Sequence, residues 1–78
     1  MVEDKFDLLK RNTLGSRMKL KRKGLGISTD DMANKLHIGL RTLYKYENDG
    51  SLPDVYQLFT LAELFNVTFK WMLYGDKK

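Results

Sequence analysis

Residues 28–47, which read STDDMANKLHIGLRTLYKYE, are the stretch that decides the fold of this chain. Apolar residues recur at helical spacing in each half of it: Met32, Ala33 and Leu36, then Leu43 and Tyr46. Residues at i, i+3 and i+4 lie on one face of a helix. The stretch therefore predicts two short helices that are joined by a tight turn and share an apolar face.

The start of the first helix has a capping signal. Ser28 is followed three residues later by Asp31, so a hydroxyl can accept an otherwise unpaired backbone N–H, and acidic residues lie at the positive helix end. We expect this helix to begin at Ser28 or Thr29. Ala33 is the small residue on the apolar face, which allows the two helices to cross closely.

The solvent side of the second helix carries long side chains with two positive charges and one hydroxyl. Its members are Leu40, Arg41, Tyr44 and Lys45. Such a surface suits a groove that is lined with hydrogen-bond acceptors.

The stretch resembles the helix-turn-helix of the lambda-repressor-like, Cro/C1-type (XRE family) DNA-binding domains of prokaryotes and phages. Seven positions match the family pattern: Thr29, Met32, Ala33, Leu36, Ile38, Leu43 and Tyr46. The chain departs from it at His37, where the family usually has glycine because the turn residue adopts a left-handed backbone conformation. Histidine tolerates that conformation less comfortably than glycine.

Composition predicts one small soluble domain. The chain has 78 residues and no cysteine, so neither a disulfide nor a thiolate metal site can stabilise it. No apolar run approaches the ~20 residues that span a bilayer, and the first residues are charged, unlike a signal peptide. We expect a cytoplasmic protein without a membrane partner.

Charge is distributed unevenly along the chain. Residues 1–45 carry eleven Lys and Arg against five Asp and Glu, a net charge of +6, whereas residues 46–78 carry three against five, a net charge of −2. A basic half that contains the exposed helix is the expected footprint of a phosphate-binding surface. A merely solubilising charged face is the alternative.

The helices on either side of this stretch follow from similar patterns. Helix 1 is expected from Thr13 or Leu14 to Lys23, ended by Gly24, after a partly ordered N-terminal arm of residues 1–12. Leu25 and Ile27 in the following connection are expected in the core.

Helix 4 is expected from Pro53 to about Phe65, with Val55 among its core residues and Asn66 as a left-handed cap. Thr68 can cap a short helix 5 that Gly75 stops, before a disordered tail of residues 76–78. The fold class is therefore all-α: a compact five-helix lambda-repressor-like domain over residues 13–75, with helices 2 and 3 as the helix-turn-helix.

The resemblance also implies an ion pair between helix 1 and helix 3. An arginine at the position of Arg22 commonly pairs in the family with the glutamate at the position of Glu47. The family's E-N-G-x-x-x-P pattern reads ENDGSLP at residues 47–53, with Asp49 in place of the glycine.

The family inserts helix 3 into the major groove of DNA, so the resemblance implies base contacts from Leu40, Arg41, Tyr44 and Lys45. Arg41 is the first candidate, through a bidentate contact to guanine, and Leu40 suits a thymine methyl or the edge of the core. Phosphate contacts are expected from Ser28, Thr29, Gly39, Thr42, Arg17, Lys19 and Lys23.

The predicted function is a sequence-specific transcriptional regulator of double-stranded DNA, a Cro/C1-like repressor that binds an inverted-repeat operator as a homodimer. The best candidates for the dimer surface are four aromatic residues, Tyr56, Phe59, Trp71 and Tyr74. The alternative, which we favour slightly, is that most of them belong to the core. The sequence identifies no protein antagonist of such a repressor.

Three alternatives compete with this interpretation. The first is a protein-interaction module of the same fold, such as an antitoxin or an antirepressor-binding adaptor, with secondary DNA binding. RNA binding ranks below it because the aromatic platform of single-strand readers is absent. An enzyme is not expected, since the sequence has one histidine, no glycine-rich phosphate loop and no suitably spaced carboxylate pair; we expect neither cofactor nor metal.

Overall fold

The computed structural model describes residues 12–75. The predicted tail, and the predicted arm apart from Asn12, lie outside the described residues. Between residues 12 and 75 the chain forms five helices: α1 (Leu14–Gly24), α2 (Thr29–Leu36), α3 (Leu40–Glu47), α4 (Val55–Phe65) and α5 (Phe69–Tyr74). The prediction of an all-α five-helix fold is confirmed.

Four of these helices begin with a capping side chain. Each cap accepts a hydrogen bond from the backbone N–H three residues further on: Thr13 from Ser16, Ser28 from Asp31, Asp54 from Gln57 and Thr68 from Trp71. In α1 and α4 the third residue also bonds back to the cap, which completes a capping box. The short helices of this small domain are thereby fixed at their N-termini.

The turn between α2 and α3 has the geometry that the sequence predicts. His37 lies in the left-handed region, with φ 58° and ψ 44°. Its N–H donates to the carbonyl of Asn34, and the N–H of Ile38 donates to that of Ala33, which closes the end of α2. Histidine thus takes the conformation for which the family uses glycine.

The loop after α3 accommodates its aspartate in the same way. Asp49 has φ 65°, a conformation that aspartate adopts more readily than most residues. The N–H of the following Gly50 then reaches the carbonyl of Lys45 at 2.7 Å. The left-handed conformation of Asp49 thus lets the chain close the C-terminal end of α3.

Two helix ends differ from the expected ones for local reasons. Helix α1 includes Gly24, and the left-handed glycine is Gly26, with φ 72°. Helix α4 begins at Val55 and not at Pro53, because Asp54 adopts the extended conformation of a capping residue.

The core lies where α1, α3, α4 and α5 meet, and α2 covers it beside α3. Its fully buried members include Met18, Met32, Leu43, Leu61 and Met72. Leu25 and Val55 are more than half exposed, so their assignment to the core was wrong. Both lie just outside a helix interior: Leu25 follows the last turn of α1, and Val55 is the first residue of α4.

Helix α1 crosses the C-terminal end of α3 at a buried glycine. A Cβ added to Gly15 would lie 2.3 Å from the carbonyl oxygen of Tyr46 and 2.5 Å from Oδ1 of Asp49. The same carboxylate accepts a hydrogen bond from the Thr13 hydroxyl at 3.0 Å, beside the positive end of α1. The close approach of α1 and α3 therefore requires a residue without a side chain at position 15.

We expect Gly15→Ala to lower the free energy of unfolding by about 1–3 kcal/mol, since backbone must move to admit the methyl group. Gly24→Ala is the matched control: nothing lies within 4 Å of its added Cβ and its φ is not positive, so the domain should be unchanged or slightly more stable. Urea unfolding followed by circular dichroism measures both. Equal stabilities of the two variants would contradict this account of the α1–α3 crossing.

Candidate nucleic-acid interface

Helix α3 presents one polar and cationic side to solvent. Its exposed residues are Leu40, Arg41, Tyr44 and Lys45, the four expected to contact bases. At 100° per residue these positions cover a continuous arc of roughly 140°. Leu43, Tyr46 and Glu47 occupy the opposite side and are buried. The helix is thus anchored along one side and open along the other.

The N-terminus of α3 differs from the other four described helix starts because no side chain caps it. Gly39, an exposed residue, holds the capping position in an extended conformation, without a side-chain hydrogen bond. The first backbone N–H groups of a helix are suited to bind an anion when no side chain accepts them. Thr42 is half-buried one turn further on.

The start of α2 is a weaker anion site than the sequence suggested. Ser28 is exposed, but its Oγ accepts the N–H of Asp31 at 3.1 Å. Thr29 is half-buried, and the first turn also carries the exposed carboxylates of Asp30 and Asp31. A phosphate near this helix end would meet two negative charges as well as the helix dipole.

The basic residues of α1 divide into two groups. Lys23 is exposed and Lys19 is half-buried, so both can reach solvent. Lys21 lies with its ammonium 5.2 Å from the ring centroid of Trp71, within the range of a cation–π contact. Only part of the basic surface expected on α1 therefore faces outward.

The expectation that Arg17 contacts phosphate needs correction. Its side chain is buried, and its Nε and Nη2 donate to the carbonyls of Met72 and Leu73 at 3.0 and 2.7 Å. Nη1 donates to Oδ1 of Asn12 at 3.2 Å. These carbonyls belong to the last turn of α5, where a cation is favoured by the helix dipole. Arg17 thus fastens α5 to α1.

Arg22 and Glu47 form the ion pair that the resemblance implied. Nε of Arg22 donates to Oε2 of Glu47 at 2.8 Å, and Nη2 donates to Oε1 at 3.2 Å, a bidentate geometry. The two residues are only 7% and 2% exposed. Nη1 of the same guanidinium donates to the carbonyl of Ile27 at 2.9 Å. One side chain of α1 therefore fixes both the connection before α2 and the end of α3.

A second anchor of α3 was not predicted from the sequence. The hydroxyl of Tyr46 donates to Oε1 of Gln57 at 2.9 Å, and the same oxygen accepts the backbone N–H of Asp54 at 2.9 Å. The Asp54-x-x-Gln57 spacing is a readable capping-box signal, and it would have identified Gln57 as an ordered residue. No local pattern indicates its bond to Tyr46 or the close approach at Gly15.

Other chemistries find no support in the part of the chain that the structure covers. Residues 12–75 contain no group of three or more His, Cys, Asp or Glu that could hold a metal ion. None of their helices is long and apolar enough to cross a membrane.

We expect Arg22→Met to destabilise the domain by about 3–5 kcal/mol, because it leaves the Glu47 carboxylate buried without its partner. Adding Glu47→Leu should restore much of that loss, since neither charge then remains buried. Lys23→Met, on the exposed side of the same helix, should change stability by less than ~0.5 kcal/mol. Urea unfolding of the wild type, Arg22→Met, Glu47→Leu and the double variant gives the coupling energy, with Lys23→Met as the control. Simple additivity of the two single substitutions would contradict the pair's importance.

Comparison with known proteins agrees with this architecture. A family model described as a helix-turn-helix domain matches residues 15–76. Over 65 residues the chain is 37% identical to the HTH-type transcriptional regulator ImmR of Bacillus subtilis (strain 168), covering 83% of this chain and 51% of the regulator. The chain thus spans about half the length of this curated relative.

The fold is that of a solved repressor domain. The crystal structure of the P22 c2 repressor protein in complex with synthetic operator 9T in the presence of Tl⁺ matches with a TM-score of 0.75 and 20% identity. The match covers 82% of this chain and 97% of that one. The family match and the geometry of the motif show that the chain belongs to the helix-turn-helix domain family. The structural match shows that it has the lambda-repressor-like fold.

Proposed function

We propose that this chain is a sequence-specific, double-stranded DNA-binding regulator of transcription, which represses by occupying an inverted-repeat operator as a homodimer. The observation that carries the proposal is α3 itself. Two long cations, a tyrosine and a leucine line its solvent side, while Glu47 and Tyr46 anchor its other side. A rigid helix with an exposed polar side is the part that such domains insert in the major groove.

Base reading falls first to Arg41. Its exposed guanidinium lies one residue into the first turn of α3, the part of a recognition helix nearest to the bases. A bidentate contact from arginine to O6 and N7 of guanine contributes ~1–3 kcal/mol of discrimination. Leu40, beside it and 38% exposed, offers an apolar surface for a thymine methyl group.

Lys45 and Tyr44 follow one turn later on the same exposed side and contact bases or the adjacent backbone. The phosphates are held by sequence-independent contacts, which fix the domain on the duplex. Candidates are the uncapped start of α3 at Gly39 and Thr42, the start of α2 at Ser28 and Thr29, and the outward lysines Lys19 and Lys23. Arg17 is not among them, because its guanidinium is committed to the carbonyls of α5.

The relatives support this role through what their names state. One is a transcriptional regulator, and the other is a repressor whose structure was solved on a synthetic operator. A single domain of this size reads only a few base pairs, so a pair of domains on an inverted repeat, about one helical turn (~34 Å) apart, supplies the specificity that a regulator needs.

Selection from a random duplex pool, at fixed salt, tests the proposal. We expect the wild type to enrich an inverted repeat, and Arg41→Ala to lose one guanine from each half-site. Arg41→Lys keeps the positive charge but lacks the planar guanidinium that makes a bidentate contact. The sequence that it selects should therefore also lack the guanine, while its affinity for DNA should fall less than that of Arg41→Ala. Lys70→Ala, which removes an exposed cation from α5, is the matched control and should select the wild-type sequence.

Enrichment of the same sequence by the wild type and Arg41→Ala would remove Arg41 from base reading. The proposed function would be contradicted if neither the wild type nor any variant enriched a sequence and all of them bound DNA only weakly and with a steep salt dependence. The helix-turn-helix would then act as a scaffold for a protein partner.

The salt dependence of binding tests the phosphate contacts separately. Replacing Lys23 with glutamine should reduce the slope of log K against log salt concentration by about 0.9, the value for one phosphate contact. The selected sequence should stay the same, because a phosphate contact carries no sequence information. Fluorescence anisotropy at several salt concentrations measures the slope. An unchanged slope would show that Lys23 lies away from the DNA.

A further inference from the structure

The exposed side of α3 is divided lengthwise into two edges of different chemistry. Leu40 and Tyr44 are four residues apart, as are Arg41 and Lys45, so each pair lies along one line on the helix surface. We call the first pair the apolar edge and the second pair the cationic edge. The two edges run side by side, about 100° apart around the axis and each roughly 6 Å long. A groove that receives this helix therefore meets an apolar surface directly beside two cations.

The apolar edge is open to solvent on a helix whose other side is closely packed. Leu40 and Tyr44 are 38% and 48% exposed, whereas Leu43, between them in the sequence, is completely buried. The domain thus supports both residues of the edge from below and leaves part of each facing outward. Covering that part with another apolar group would gain free energy by removing it from water.

The major groove of DNA offers one apolar group for such an edge, the C5-methyl group of thymine. The N7 and O6 acceptors of guanine lie in the same groove and suit the cationic edge. Cytosine carries only hydrogen at C5, but 5-methylcytosine carries a methyl group at the same ring position as thymine. An apolar surface in the groove therefore distinguishes pyrimidines by this methyl group, independently of their hydrogen-bonding groups.

The two edges are close enough to contact neighbouring bases. Leu40 and Arg41 are consecutive in the first turn of α3, and their positions along the helix axis differ by about 1.5 Å. Successive base pairs are ~3.4 Å apart. With Arg41 on a guanine, Leu40 therefore faces a base immediately beside that guanine, and Tyr44 extends the apolar surface by one helical turn.

We propose that the apolar edge reads the C5-methyl group of a pyrimidine beside the guanine of Arg41, so that 5-methylcytosine is accepted there and unmethylated cytosine is disfavoured. The inference rests on the proposed function and names the chemical group that the same site recognises. Its consequence is regulatory. Methylation of a cytosine at this position strengthens binding without any change in base pairing.

The expected size of the effect follows from the area of one methyl group. Burying a methyl group corresponds to about a fourfold change in affinity. An inverted repeat has two half-sites, and contributions from well-separated positions are roughly additive in free energy. Changing the methyl group in both half-sites should therefore change affinity by about fifteenfold.

Two pairs of duplexes that differ only in methyl groups test the inference. The inverted repeat that the wild type selects is made with thymine or deoxyuridine beside the guanine in each half-site, and again with 5-methylcytosine or cytosine there. The members of each pair have the same hydrogen-bonding groups, so the ratio of their affinities reports the methyl group alone. We expect the wild type to bind the methylated member of each pair about fifteenfold more tightly, measured by fluorescence anisotropy at fixed salt.

Variants on the two edges locate the effect. Leu40→Ala should reduce both ratios to below about threefold, because the shorter side chain leaves a gap at the methyl group. Each ratio compares two DNAs on one protein, so a change in the stability of the variant cancels. Tyr44→Phe keeps the ring and should keep the wild-type ratios. Lys45→Gln, on the cationic edge, is the matched control: it should weaken binding to all four duplexes and leave both ratios unchanged.

The inference and the proposed function fail in different ways. A wild type that selects a sequence but binds both members of either pair equally would overturn the inference and leave the proposed function standing. So would wild-type ratios in Leu40→Ala, a selected sequence without a pyrimidine beside the guanine, or an Arg41→Ala variant that loses no guanine. If the wild type selects no sequence, the proposed function fails, and the inference falls with it.

Discussion

The buried ion pair between Arg22 and Glu47 is the contact on which the rest of the structure depends. Removing two charges from water costs several kcal/mol per ion unless every donor and acceptor finds a partner. Here the pair is bidentate, and the remaining guanidinium nitrogen bonds to the Ile27 carbonyl. Such a pair often adds less to stability than an apolar contact of the same volume would, but its hydrogen bonds join α1, the α1–α2 connection and α3 at one point.

That arrangement decides which side of α3 faces outward. Glu47 lies on the same side of the helix as Leu43 and Tyr46. Because the ion pair holds that side inward, it fixes the rotation of α3 about its axis, and Arg41 and Lys45 on the opposite side therefore face outward. Gly15 then allows α1 to lie directly against the end of α3. The exposed cationic surface is therefore a product of the packing beneath it as much as of the residues that line it.

The fold could be predicted well from the sequence because its signals are local. Ser28 and Thr68 cap helices, His37 and Asn66 adopt the left-handed conformation that ends them, and each feature is decided within a few residues. The exposure of Arg41 and Lys45 followed from helical spacing alone. The partnership of Arg22 with Glu47 came from the family resemblance, since no local pattern links residues so far apart.

The misassigned residues share one physical cause, which is that their surroundings come from distant parts of the chain. Arg17 lies among other basic residues, yet its acceptors are carbonyls 55 and 56 residues away. Val55 and Leu25 look like core residues by type, but their burial depends on whether another helix passes over them, and none of the described helices covers them. Gly15 has an ordinary helical neighbourhood in sequence, and only the position of α3 shows why it has no side chain.

The amide oxygen of Gln57 has a consequence for how the exposed side of α3 can change in evolution. It accepts hydrogen bonds from Tyr46 on α3 and from the backbone N–H of Asp54, the cap of its own helix α4, so a rotation of α3 against α4 would break the bond to Tyr46. The end of α3 is thereby tied to the first turn of α4 by a side-chain hydrogen bond. Substitutions on the exposed side of α3 leave this bond and the Arg22–Glu47 pair in place, so the residues of that side can change one at a time without disturbing the packing beneath them.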